Sequence, residues 1–167
     1  MEKIKKYKIL FAVLVVAAVT GGAIVLWSKP SAVSSAQTYS DTDYGFSFSY
    51  PQGYTASAFS DIENTKTILL GNTTSKSALQ VFVSPFDENI SLTLERIKEE
   101  MPDLAVLEPK SILLDEVTGV SFRSTNALDA ESYELWLIHR GNLYQISAPV
   151  ISKAVFDDIL TTWEWNE

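Results

Sequence analysis

Residues 9–27, ILFAVLVVAAVTGGAIVLW, run for 19 positions without a charge, and Thr20 is the only polar residue among them. At 1.5 Å per residue such a run spans roughly 28 Å as a helix, close to the thickness of a bilayer's hydrocarbon core. Lys3, Lys5, Lys6 and Lys8 precede it, opposed only by Glu2, and Trp27 and Lys29 close it as an interfacial aromatic and a snorkelling cation would. The basic flank is N-terminal, so the positive-inside rule leaves that end in the cytoplasm and sends the remainder out. The chain therefore reads as a basic tail (1–8), a single-pass transmembrane signal anchor (9–27), a short linker (28–38) and an extracytoplasmic domain (39–167). The alternative is a signal peptide cleaved before Gln37, with Ser34 and Ala36 as the small residues of the site and a secreted product. Secretory apolar segments usually run about 7–15 residues, which favours the anchor. Small residues four apart, Ala17 with Gly21 and Ala18 with Gly22, add an expectation of weak self-association in the membrane.

The net charge of −8 conceals a division. From residue 30 onward the chain has 8 bases and 20 acids. A domain that acidic does not suit nucleic acid, which needs clustered Lys and Arg, and anionic head groups would repel it. The chain has no cysteine, which removes disulfides, thiolate metal sites and thiol nucleophiles. An exported protein without disulfides fits a bacterial setting.

Beyond the linker the hydrophobic period is two. Phe46, Phe48 and Tyr50 alternate with serines until Pro51 stops the strand. TASAFSDIEN (55–64), KTILLGN (66–72) and SALQVFVSPF (77–86) read as further strands. The period then becomes helical, with Leu94, Ile97, Met101 and Leu104 on one face, Ser91 as N-cap and Pro102 ending the helix near Glu100. KSILLDEV (110–117) and GVSFRST (119–125) return to strand, with Val120 and Phe122 opposite in facing to Ser121 and Arg123. SYELWLIHRGNLYQISAPV (132–150) is a hairpin about its RGN turn. SKAVFDDILTTWEW (152–165) closes the chain as a helix capped by Ser152, with Phe156, Ile159, Leu160 and Trp163 facing the sheet. The fold class is α+β, a mostly antiparallel sheet flanked by helices.

The stretch YSDTDYGFSFSYPQGYTAS (39–57) raises the question of a calcium loop. An EF-hand needs oxygen ligands at positions 1, 3 and 5, glycine at 6 and glutamate at 12. Counted from Asp41, positions 5, 6 and 12 are Gly45, Phe46 and Gln52, so the pattern fails. The stretch instead resembles the opening of PsbP-like proteins, extrinsic subunits of photosystem II and their kin: an aspartate-rich turn, Gly45, the aromatics Phe46, Phe48 and Tyr50, Pro51, and Gly53–Tyr54. GNLYQISAPV followed by FDDILTTWEW is similar to their ending. The resemblance covers about residues 39–167 and implies an α/β/α sandwich that serves accessory and binding roles.

Chemistry is sparse. His139 is the only histidine, no G-x-S-x-G nucleophile turn accompanies it, and it reads as a residue at a hairpin end. The pairs Asp87–Glu88, Asp115–Glu116 and Asp157–Asp158, and the group Asp129, Glu131 and Glu134, are the sites where a divalent cation would have to bind. Asn72 and Asn89 fit the N-glycosylation pattern, which matters only in a eukaryotic secretory route. Trp136, Tyr144 and Trp163 read as core, and Trp165 as half-exposed, either a contact residue or part of a frayed terminus. No catalytic, cofactor-binding or metal-binding residue is assigned. The expected function is a non-catalytic accessory or interaction module that binds a protein or envelope component outside the membrane. The alternative is an exported domain that binds a small molecule or a divalent cation.

Overall fold

The computed structural model describes residues 36–166, apart from 62–63, 73, 76, 89 and 126–129. Among the described residues no helix is long and apolar enough to cross a membrane. The expected anchor at 9–27 and its Ala17, Ala18, Gly21 and Gly22 face lie outside them.

The strands form two sheets rather than one. β1 (Gln37–Asp41), β2 (Phe46–Tyr50) and β10 (Glu164–Trp165) make a small sheet in the order β1-β2-β10. The other seven strands are β3 (Thr55–Ser60), β4 (Lys66–Asn72), β5 (Ser77–Pro85), β6 (Leu107–Leu114), β7 (Val117–Thr125), β8 (Glu131–His139) and β9 (Asn142–Pro149). They lie in the order β3-β4-β5-β9-β8-β7-β6. Every recorded pairing is antiparallel. Among the described residues there are two α-helices, α1 (Leu94–Glu100) and α2 (Lys153–Thr161), the second entered through a 3-10 turn at Val150–Ser152.

One face of the large sheet carries the core. Ile68, Leu70, Val81, Val83, Leu135, Leu137, Tyr144 and Ile146 are all fully buried. The period of two places them on one side, where they join Phe46 and Phe48 of the small sheet and Phe156, Ile159 and Trp163 around α2. Trp163 stacks on Phe46 at 4.6 Å and on Phe48 at 5.4 Å between ring centroids, and Tyr144 meets Phe46 edge-on at 5.9 Å. Such pairs contribute about 1 kcal/mol each beyond their burial. The opposite face has a smaller apolar set. Phe122 and Trp136 pack edge to face there at 5.3 Å, so Trp136 is buried as expected but outside the main core.

Several local expectations are corrected. Thr93, not Ser91, caps α1: its hydroxyl accepts from the Arg96 N–H at 3.2 Å. Both residues are good N-caps, and the register of Leu94 and Ile97 selects the later one. Ser152 precedes α2 but makes no side-chain cap there. Its hydroxyl instead accepts from the Ala78 N–H at 3.1 Å and ties the turn to β5. Trp163 lies past the helix, which ends where the Thr162 N–H bonds back to Asp158 and Ile159. The terminus is not frayed. Trp165 pairs with Phe46 in β10, donates its N–H to Asp115 Oδ2 at 2.7 Å and its indole N–H to the Leu114 carbonyl at 3.1 Å. The RGN hairpin forms as read, with Arg140 and Gly141 at φ +48° and +74°, the two left-handed residues of a tight turn.

The aspartates at 41 and 43 build a turn. Asp41 Oδ1 accepts from the N–H groups of Asp43 and Tyr44, and its Oδ2 from the Tyr39 hydroxyl at 2.9 Å. Lys66, at the start of β4, closes on Asp41 at 2.7 Å and on Asp43 at 3.1 Å. This buried carboxylate thus pins the small sheet to the large one.

Candidate functional site

The residues with recognisable chemistry do not converge. His139 ends β8 and packs on Trp165 at 4.2 Å between ring centroids, and its Nε2 is buried without a hydrogen-bond partner among the described residues. Burial pushes its pKa down, Arg140 pushes it further, and Asp115 opposes both. The setting keeps a neutral imidazole in a packing role.

In each of the three acidic pairs one carboxylate is engaged by protein. Glu88 takes both Arg96 terminal nitrogens at 2.9 Å, Asp115 accepts from Trp165, and Asp157 pairs with Lys153. Asp129 lies outside the described residues. Glu131 and Glu134 cannot act together, because three residues along a strand is an odd step and puts them on opposite faces. Glu131 pairs with Arg123 at 3.0 Å. Among the described residues no group of three or more His, Cys, Asp and Glu could hold a metal ion. Asn72 is engaged in its own loop, its side-chain oxygen accepting from the N–H groups of Thr74 and Ser75. Asn89 lies outside the described residues.

Two features escaped the sequence. The first is a polar cluster around Glu134 on the second face. Ser132 donates to Glu134 Oε1 at 2.6 Å, Ser124 donates to the same oxygen at 3.1 Å, and the Trp136 indole N–H reaches Oε2 at 3.2 Å. Burial raises this carboxyl above the usual glutamate range, and the three hydrogen bonds only partly offset it. No cation is among the groups acting on it. Period two does put residues 132, 134 and 136 on one face. That Ser124 joins them depends on the β7–β8 register, in which it faces Ser132.

The second feature is the edge strand β3. It pairs with β4 on one side and ends the sheet on the other. Its sequence, TASAFS, holds neither charge nor proline, and nearly all of it is exposed. Natural edges are usually blunted by lysine, proline, a bulge or a cover, and β3 has none of the first two. Phe59, 57 % exposed, stands over a shallow groove shared with Gly53, Thr55, Ser57, Leu69 and Gly71. The strand was legible in the sequence, but its place at the sheet's edge was not.

These elements define an antiparallel α+β domain of PsbP-like fold. The solution structure of cyanobacterial PsbP (CyanoP) from Synechocystis sp. PCC 6803 superposes with a TM-score of 0.57 at 14% sequence identity, covering 84% of this chain and 98% of that one. No family model matches the sequence, and no curated protein matches it.

Proposed function

We propose that this protein is a membrane-anchored accessory module. Residues 9–27 hold it in a membrane with the N-terminus in the cytoplasm, and the domain outside binds a protein or envelope component without performing chemistry. The observation that carries this reading is β3: among the described residues it is an uncharged, exposed edge strand beside an apolar groove, suited to receive an extended segment of a partner by strand addition. The PsbP-like fold is consistent with a scaffold that works by contact, while the anchor comes from the sequence alone. The enclosed Glu134 carboxyl favours a second reading, an exported small-molecule or cation-binding domain.

Cross-linking of the tagged full-length protein in its native cells, followed by mass spectrometry, tests the first reading. A stoichiometric envelope partner is expected, and replacing Ser57 and Phe59 by lysine should reduce its recovery by about tenfold or more. Recovery unchanged by those two substitutions would remove β3 as the binding surface. No partner above background would give preference to the second reading and to thermal-shift screening of residues 37–167.

A further inference from the structure

β3 ends the large sheet on one side and β6 on the other, and the two edges are chemically unlike. β6 carries Glu108 and Lys110, and Glu108 is held by Arg123 at 2.7 Å. β3 has no charge in its six residues, Thr55–Ser60. Beyond residue 30 the chain has 8 bases against 20 acids, so two copies repel each other over most approaches. An uncharged edge is where they can meet, because like charges directly opposite each other destabilise a strand pair.

The face of β3 that carries Thr55, Ser57 and Phe59 has a projection and a hollow. Phe59 is the projection, exposed at one end of the groove. The hollow is at the other end, where Thr55 stands beside Gly71 in the β3–β4 register and Gly53 lies two residues before it. A Cβ at Gly71 would meet nothing within 4 Å, so the space there is open. Projection and hollow lie two residues either side of Ser57.

Antiparallel self-pairing runs about a two-fold axis normal to the sheet, and opposed residues must share a face. An axis through Ser57 meets that condition: Ser57 opposes Ser57 of the second copy, and Phe59 opposes its Thr55. Each Phe59 ring then lies over the other copy's Thr55, toward the gap at Gly71. An axis through Ala58 also meets the condition but sets Phe59 against Ser57, behind which Leu69 already fills the groove. The Ser57 axis puts each Asp61 opposite the other copy's Gly53, which leaves the two Asp61 positions roughly 27 Å apart at about 3.4 Å per residue.

We infer that β3 pairs with β3 of a second copy of this chain, antiparallel about Ser57, when no other partner strand occupies it; this rests on the reading of β3 as a strand-accepting edge and on the anchor at 9–27. The seam of Thr55–Phe59 against its copy is much shorter than the roughly 20–30 residues a side of a lasting interface. The pair therefore forms where copies are concentrated. An anchor holds them in one membrane and raises their effective concentration.

The chain has no cysteine, so single cysteines report the register. Ser57→Cys, Thr55→Cys and Ala58→Cys are made in the full chain, reconstituted into phosphatidylcholine vesicles without other protein and oxidised, with circular dichroism confirming the fold. Ser57→Cys should give at least about fivefold more disulfide-linked dimer than Thr55→Cys, because opposed Cβ atoms lie about 5 Å apart and the two Thr55 positions are four residues out of register. Adding Phe59→Ala to Ser57→Cys should cut that yield by about threefold or more; an unchanged yield overturns the inference. Equal yields at 57 and 55 are chance encounters and overturn it too, as does a higher yield at 58, which belongs to the other axis. Recovery of the cellular partner by the Ser57→Lys, Phe59→Lys variant reports the β3 reading separately. If that variant loses the partner while 57 does not cross-link, self-pairing alone is overturned; if it keeps the partner, the β3 reading falls as well. Protein that fails to float with the vesicles overturns the anchor reading and the inference together.

Discussion

Glu134 and Asp41 are both enclosed carboxylates, and their surroundings give them opposite pH signatures. For Asp41, burial would raise the pKa, but hydrogen bonds from Lys66, Tyr39 and the Tyr44 N–H outweigh it and hold the group below the usual aspartate range. Its contribution to stability is present above that range and is lost as pH falls through the lowered value. Glu134 is shifted up, so the folded state binds its proton more readily than the unfolded chain does. Stability from that group is complete below the usual glutamate range and declines as pH rises through the raised value. Glu134→Gln keeps an acceptor for the serines and abolishes the titration. We expect the variant to melt roughly 2–5 °C above the parent at pH 8 and to lose that advantage near pH 4. Parallel melting-temperature profiles for the two proteins across that range would contradict the assignment. The same scale explains Gly45, the glycine of the PsbP-like opening. It sits at φ +63°, and a Cβ there would lie 2.9 Å from the Asn166 carbonyl oxygen.

Among the elements, β10 does far more than its two residues imply. It anchors Trp165 to Asp115 and Leu114, and just beyond it Asn166 donates to the Gly45 carbonyl and accepts from Arg140, each at 2.8 Å. Deleting residues 164–167 removes these bonds and uncovers Phe46 and Tyr144, at a cost of about 3 kcal/mol. A fall in melting temperature of roughly 10 °C is expected for the truncated domain; a fall of only a degree or two would show the strand to be incidental. The sequence showed the apolar spacing of α2 clearly, because Phe156, Ile159 and Leu160 recur at helical intervals. It carried that pattern on to Trp163, since nothing local distinguishes a helical i+7 position from a tryptophan that follows a helix end. The distinction comes from the small sheet, which receives Trp163 between Phe46 and Phe48.

For the molecule as a whole, β1 is the closing piece: it begins at Gln37 and delivers Tyr39 and Asp41 to the seam between the sheets. Residues 37–167 are expected to unfold in one cooperative calorimetric transition. Residues 43–167, without β1 and the Asp41–Lys66 pair, should melt at least about 10 °C lower or without a sharp transition, and equal melting of the two fragments would refute that role. Sequence alone determined what depends on neighbours along the chain. That includes strand and helix periods, the Arg140–Gly141 turn, the failure of the calcium pattern at Gly45 and Gln52, and the acidity of everything beyond residue 30. It pointed to the PsbP-like fold through a short run of turn glycines and alternating aromatics. Only the tertiary structure decided which strands share an edge, that there are two sheets, that Ser124 meets Glu134, and that Glu131 does not. It also decided that β3 is an exposed edge strand among the described residues. The physical reason is that period and turn chemistry act over a few residues. Strand order and register are set by which apolar faces bury together, and the partners in that choice can lie more than a hundred residues apart, as Phe46 and Trp165 do.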